Sequence, residues 1–186
     1  MAGVLLDMAV SLDGLICGPG GSDGGLYDWY FGPSAASRPV VDELVETTGA
    51  IVLGRGAYGT GDDAGGWADT PYHVPHFVVT HRPPPAPPDG PVEFVFVREG
   101  VPAAIERARD AAGDRYATLG GGADLARQAL AAGLVDEVQL HVVPVLLGGG
   151  VALFDGAGPA WRLTRLRVID APGVTHLRYR VEGPRN

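Results

Sequence analysis

Tyr116-Ala117-Thr118-Leu119-Gly120-Gly121-Gly122-Ala123 is the stretch on which the fold turns. Tyr116–Leu119 is a short apolar run, too short for a helix and bounded by glycine, and it reads as a buried strand. Three glycines then turn the chain directly into a helical pattern around Leu125–Ala132. A strand that feeds a helix through a tight turn is the building unit of an α/β sheet.

The same alternation continues outward in both directions. Upstream, Val101, Ala104, Ile105 and Ala108 mark one helical face, and His76–Thr80 and Ala50–Leu53 are apolar strand runs. Val40, Val41, Leu44 and Val45 share another helical face, with Gly49 as the expected C-terminal stop. Val4–Leu12 is predicted as a first strand buried on both faces. Downstream, Val138, Leu140 and Val142 alternate along a long strand that Leu147-Gly148-Gly149-Gly150 breaks, and Leu163–Ile169 and Val174–Val181 form a closing pair. Alternating strands and helices predict a mostly parallel central sheet flanked by helices, and the consecutive strands at the end predict an antiparallel C-terminal edge. Pro83-Pro84-Pro85-Ala86-Pro87-Pro88 cannot be helix or central strand and reads as an extended surface connection. Neither half it separates stands comfortably alone, so residues 1–186 are expected to form a single α/β domain.

Composition narrows the functions. Apolar residues make up 46 % and charged residues 19 %, a globular balance. The net charge is −8 and every one of the 14 basic residues is arginine, which argues against a nucleic-acid partner. One cysteine, Cys17, excludes an internal disulfide and a cysteine-rich zinc site, in keeping with a cytoplasmic protein. No run approaches the ~20 apolar residues of a membrane span. His73, His76, His81, His141 and His176 show no metal-ligand spacing, and His141 and His176 fall in strand patterns as sheet-face residues. Gly-x-Ser-x-Gly is absent.

Gly120-Gly121-Gly122 lets backbone N–H groups approach a phosphate at a helix N-terminus, or is simply a tight turn. It has neither the spacing of a Rossmann fingerprint nor the lysine of a P-loop. Arg55, between Gly54 and Gly56, and Arg82, after Thr80-His81, follow two apolar strands. Ligands of open α/β sheets bind beyond the carboxyl ends of strands, where two guanidinium forks would suit a phosphorylated dinucleotide. Either arginine alone reads first as a solvated surface residue, and the two together weaken that reading. Asp62 and Asp63 read as loop carboxylates, and Cys17, with no histidine nearby, as an incidental loop residue.

Taken in order, Val10-Ser11-Leu12-Asp13-Gly14, Leu53-Gly54-Arg55-Gly56-Ala57-Tyr58, Val79-Thr80-His81-Arg82, Leu119–Ala123, Leu134-Val135-Asp136-Glu137, Pro144–Gly150, Leu153-Phe154 and Thr175–Tyr179 resemble the dihydrofolate reductase-like proteins of the riboflavin reductase C-terminal-domain group. The resemblance covers nearly the whole chain. It implies NADPH across the sheet's carboxyl edge, with the 2′-phosphate near Arg55 and Arg82 and Thr80 and His81 beside it. It implies the pyrophosphate at Gly54, Gly56 and Leu119, Gly120, Gly121, Gly122, Ala123 and Leu125, and the nicotinamide near Ala9, Val10 and Gly14. It also implies a small-molecule substrate and a homodimer. Asp28 and Tyr30 are the candidate proton sources, and Trp29 and Trp67 the candidate substrate contacts.

The substrate side departs from the group. A glutamate is expected two positions before the glycine that aligns with Gly122, where this chain has Gly120. A Thr-rich, Asp-Pro-containing segment is expected where the chain reads Gly59-Thr60-Gly61-Asp62-Asp63-Ala64-Gly65-Gly66-Trp67. Three readings therefore stand: an NADPH-dependent reductase of a small heterocycle, the 5-amino-6-(5-phosphoribosylamino)uracil reductase of riboflavin biosynthesis, and a non-catalytic nucleotide-binding protein.

Overall fold

The computed structural model describes residues 2–59, 70–84, 90–156 and 159–184. Trp67, Asp62, Asp63 and most of the proline tract lie outside the described residues. Eight strands form one sheet: β1 (Val4–Ser11), β3 (Thr48–Gly54), β4 (His76–Val79), β5 (Phe94–Val97), β6 (Tyr116–Gly121), β7 (Glu137–Val143), β9 (Trp161–Ala171) and β10 (Val174–Pro184). Their order is β5-β4-β3-β6-β1-β7-β10-β9. The first six run parallel, and β10 and β9 close the edge antiparallel, as the sequence predicts. A small second sheet pairs β2 (Leu15–Cys17) with β8 (Val151–Ala152).

β1 lies at the centre, parallel to β6 on one side and β7 on the other. Its alternate residues point to opposite faces. Val4, Leu6, Met8 and Val10 join the larger core with Val101, Ala104, Ile105 and Ala108 of α4 (Val101–Ala112) and with Leu125, Ala126 and Ala129 of α5 (Ala123–Ala131). Burying an aliphatic side chain this fully stabilises by about 1.5–3 kcal/mol. The opposite face carries α1 (Asp28–Phe31) and α2 (Arg38–Thr47): Leu5 packs on Val40 and Leu44, and Ala9 shares a cluster with Trp29 and Val41. A third short helix, α3 (Arg55–Tyr58), follows β3 at once.

Several expectations need correction. Gly49 does not stop α2; it lies inside β3, where an added Cβ would fall 2.5 Å from the Ala112 carbonyl oxygen. Its role is to let the end of α4 approach the sheet. The glycine triplet is not all turn, since β6 runs through Gly121 and only Gly122, at φ 103°, makes the turn into α5. Leu12, expected in the first strand, lies beyond β1 and is exposed. Phe94–Val97 is a strand that the sequence reading passed over.

Candidate active site at the carboxyl edge

The carboxyl ends of β4, β3, β6 and β1 line up along one edge, because these strands are parallel neighbours. Leu53 of β3 is in register with Gly121 of β6. A Cβ on Gly121 would sit 2.6 Å from the Ala57 side chain, and one on Gly122 would sit 3.5 Å from the Gly54 Cα. Glycine at these positions brings two strand ends and two helix starts together, while Gly56 faces open space. The first turn of α5 leaves the Ala123, Asp124 and Leu125 amides without intrahelical acceptors. Leu119, Ala123 and Leu125 are buried and anchor this turn.

Arg55 opens α3; its guanidinium lies over the Tyr58 ring at 5.1 Å and donates to the Gly59 carbonyl oxygen. Thr80 is buried beyond β4, and its hydroxyl accepts the Arg82 amide at 3.1 Å. His81 and Arg82 are exposed at the same edge. Ala9 and Val10 are buried in β1 on opposite faces, and Gly14 turns at φ 79°, its carbonyl accepting the Leu153 amide. Thus Gly54, Arg55, Gly56, Thr80, His81, Arg82 and the Leu119–Leu125 stretch fall on adjacent strand ends. Their chemistry, backbone amides and guanidinium groups around glycine, fits a phosphorylated dinucleotide.

The α1 side is a different environment. Asp28 is exposed and, with Trp29, Gly24, Gly25, Pro144 and Pro172, lines an open cleft of about 380 Å³. Trp29 is buried; its ring lies 4.1 Å from that of His141 and 4.9 Å from that of His176. Its indole N–H is buried with no hydrogen-bond acceptor among the described residues. Burial pushes the Tyr30 and Tyr72 phenols up, and the Tyr30 hydroxyl is buried with no hydrogen-bond partner among the described residues. Trp29 is thus a wall residue between helix and sheet that also borders the cleft beside Asp28, and Tyr30 packs against the same wall.

Sequence reading did not find the polar chain behind Trp29. Asp7 Oδ1 lies 2.9 Å from His141 Nε2 and accepts Gln139 Nε2 at 3.1 Å. His141 Nδ1 is 2.6 Å from His176 Nδ1, and His176 Nε2 is 3.1 Å from Ser37 Oγ. Strand register makes the cluster: Ala9 faces His141 across β1 and β7, and His141 faces His176 across β7 and β10. Burial, with the neighbouring His141, pulls His176 down to about 4, so its ring is neutral. The signal available was Asp7, a lone carboxylate inside an otherwise apolar strand.

The description of the RibD C-terminal domain family matches residues 2–174. The chain belongs to that family. An uncharacterised protein of Bacillus subtilis (strain 168), YwjB, is 28 % identical over 151 residues, 81 % of each chain. A Shewanella sp. PV-4 protein attributed to riboflavin biosynthesis shares the fold at a TM-score of 0.70 and 23 % identity, over 98 % of this chain and 99 % of its own. Enterococcus faecalis dihydrofolate reductase, solved with NADP(H), shares it at 0.62 and 16 %, over 97 % of this chain and 96 % of its own. The RibD C-terminal fold in this chain is therefore dihydrofolate reductase-like. Among the described residues, no helix is long and apolar enough to cross a membrane.

Proposed function

We propose that the chain is a cytoplasmic NADPH-dependent reductase that transfers hydride to a small heterocyclic substrate. The observation that carries this reading is the meeting of Gly54, Gly121 and Gly122 at one strand edge, with Arg55 and Arg82 on the neighbouring strand ends. NADPH would supply the hydride there; the protein's part is to bind, orient and exclude water. Arg55 and Arg82 would hold the 2′-phosphate, and the Gly122–Leu125 turn the pyrophosphate. Family membership favours, as a second reading, the ribosylaminopyrimidine reductase of riboflavin biosynthesis. Against it, Gly120 occupies the position where that enzyme's glutamate is expected. A homodimer belongs to the same proposal and is checked by sedimentation.

Calorimetry with NADPH and NADH on wild type and Arg55→Ala tests the reading. The expected result is NADPH binding at least tenfold tighter than NADH, with most of that preference lost in Arg55→Ala. Binding of neither dinucleotide would end the reductase proposal and leave, of the third reading, only an interaction protein that has kept the fold. If the dinucleotide binds, consumption of NADPH with the ribosylaminopyrimidine separates the first two readings.

A further inference from the structure

The chain from Asp7 to Ser37 has an internal logic that its distances dictate. The two facing Nδ1 atoms lie 2.6 Å apart, so one of them carries the shared proton and the other accepts it. If Ser37 O–H donates to His176 Nε2, then His176 Nδ1–H donates to His141 Nδ1, and His141 Nε2–H donates to Asp7 Oδ1. Ser34 Oγ donates in turn to Ser37 Oγ at 3.3 Å. This arrangement gives every link a donor and an acceptor, as does its reverse with both His141 nitrogens carrying protons, and each leaves Asp7 the accepting carboxylate at the end. Both rings are buried, at 1 % and 3 % exposure, and Trp29 packs across them. The chain ties β1, β7, β10 and the start of α2 into one rigid polar unit.

That unit fixes the Asp7 side chain by one oxygen only. Oδ1 takes the His141 and Gln139 donors, and Arg167 holds Gln139 from behind through its Oε1 at 3.3 Å. Oδ2 engages no donor among the described residues, and the Asp7 side chain keeps 18 % of its surface open. Asp7 lies two residues before Ala9 on the same face of β1. Tyr27 and Tyr30 pack against the cluster that holds Ala9, and Tyr72 against the one that holds Leu5, so aromatic rings stand beside both neighbours of Asp7 on this face of β1. A carboxylate oxygen held among rings, with no protein donor, has the chemistry to receive a donor from a ligand.

We propose that Asp7 is a substrate-contacting residue of this site, its Oδ2 accepting an N–H from the edge of a planar ring, and that His141, His176 and Ser37 are positioning residues acting through it. The assignment rests on the reductase reading for the identity of the ring as substrate, not for its binding. It moves the functional carboxylate from Asp28, exposed on α1, to the centre of the sheet. It also gives two buried histidines a role that packing alone would not require.

The test uses 2-aminopyridine and its near-isostere 2-methylpyridine, which lacks the amino donor, with the full chain. Trp29 fluorescence and the imidazole ¹⁵N spectrum report binding. We expect wild type to prefer 2-aminopyridine about tenfold, in line with one charge-assisted hydrogen bond. The His141 Nε2–H resonance should shift as it binds, a readout that needs no variant. Asp7→Asn keeps an acceptor for His141 but replaces one oxygen with a donor, and should abolish the preference. Ser37→Ala should alter the His176 tautomer signature and reduce the preference several-fold, and Ser37→Thr should restore both. A wild type without preference, or a preference that survives Asp7→Asn, overturns the contact. A ¹⁵N pattern and preference both unmoved by Ser37→Ala overturn the positioning roles. NADPH calorimetry is independent of all of these: ring binding without dinucleotide binding would sink the reductase reading alone, and the converse would sink this assignment alone.

Discussion

Asp13 shows how much one exposed side chain can organise. Its carboxylate accepts the Ser11 hydroxyl at 2.6 Å and the Leu147 and Gly148 amides at 3.1 and 2.8 Å. These bonds, the Ser11 hydroxyl foremost, pull Asp13 down to about 2. Ser11 Oγ also accepts the Leu15 amide, so the turn after β1 is tied to the segment after β7 across more than 130 residues of chain. Both segments border the expected nicotinamide position. In Asp13→Ala the Leu147 and Gly148 amides lose their acceptor, and their hydrogen exchange should quicken while that of β1 stays unchanged. Equal exchange at Leu147 and Gly148 in both proteins would mean the carboxylate does not hold this segment. The motif Ser11-Leu12-Asp13-Gly14 was legible in the sequence; its partner was not, because a contact at such separation has no local signature.

At the scale of elements, the close approach of α4 to β3 depends on Gly49. Its absent Cβ leaves room for Ala112, whose carbonyl oxygen, Cα and Cβ all lie within 3 Å of where that atom would be. Two of those three are backbone atoms, so relief requires the helix end to move. Gly49→Ala should therefore destabilise by about 1–3 kcal/mol in urea denaturation, the usual cost of overpacking. Gly56→Ala, a helical position facing open space, should be neutral or stabilising by up to about 1 kcal/mol. Equal midpoints for the two variants would refute the packing argument. The same site shows what sequence patterning reveals. The apolar faces of α2 and α4 and the strands around β1 have periods that report their burial directly. Gly49 was misread because a glycine after a helix is most often its stop, and only the neighbour from α4 shows otherwise. Phe94–Val97, an apolar run as short as Ala50–Leu53, was passed over in the stretch after the proline tract. The glycine and arginine positions of the proposed cofactor edge were legible because each sits where a strand ends, whereas the Asp7–His141–His176 chain exists only through strand register.

For the whole molecule, the buried imidazoles and phenols bound the pH range in which it is stable. His76, fully buried with Nδ1–H donated to the Val74 carbonyl oxygen, is held by burial at about 4, as is His176. In the unfolded chain both would titrate near 6.5. Between these values the unfolded state binds more protons, so folding stability is full above about pH 6.5 and falls as pH drops toward 4. Each histidine contributes a slope of up to about 1.4 kcal/mol per pH unit in that window. Asp13 extends the loss below it, since its folded value of about 2 lies under the unfolded 3.8. Tyr30 and Tyr72 act at the other end: burial raises their folded values above 10, so the unfolded state loses protons first and stability declines as pH rises past 10. Urea midpoints should therefore form a plateau between about pH 6.5 and 10 and decline on both sides. His76→Gln removes one of the two acid-side groups and should roughly halve the slope between pH 6 and 4.5, whatever it does to the plateau height. A wild-type midpoint that stays level from pH 7 to 4.5 would show that neither ring is kept neutral by the fold.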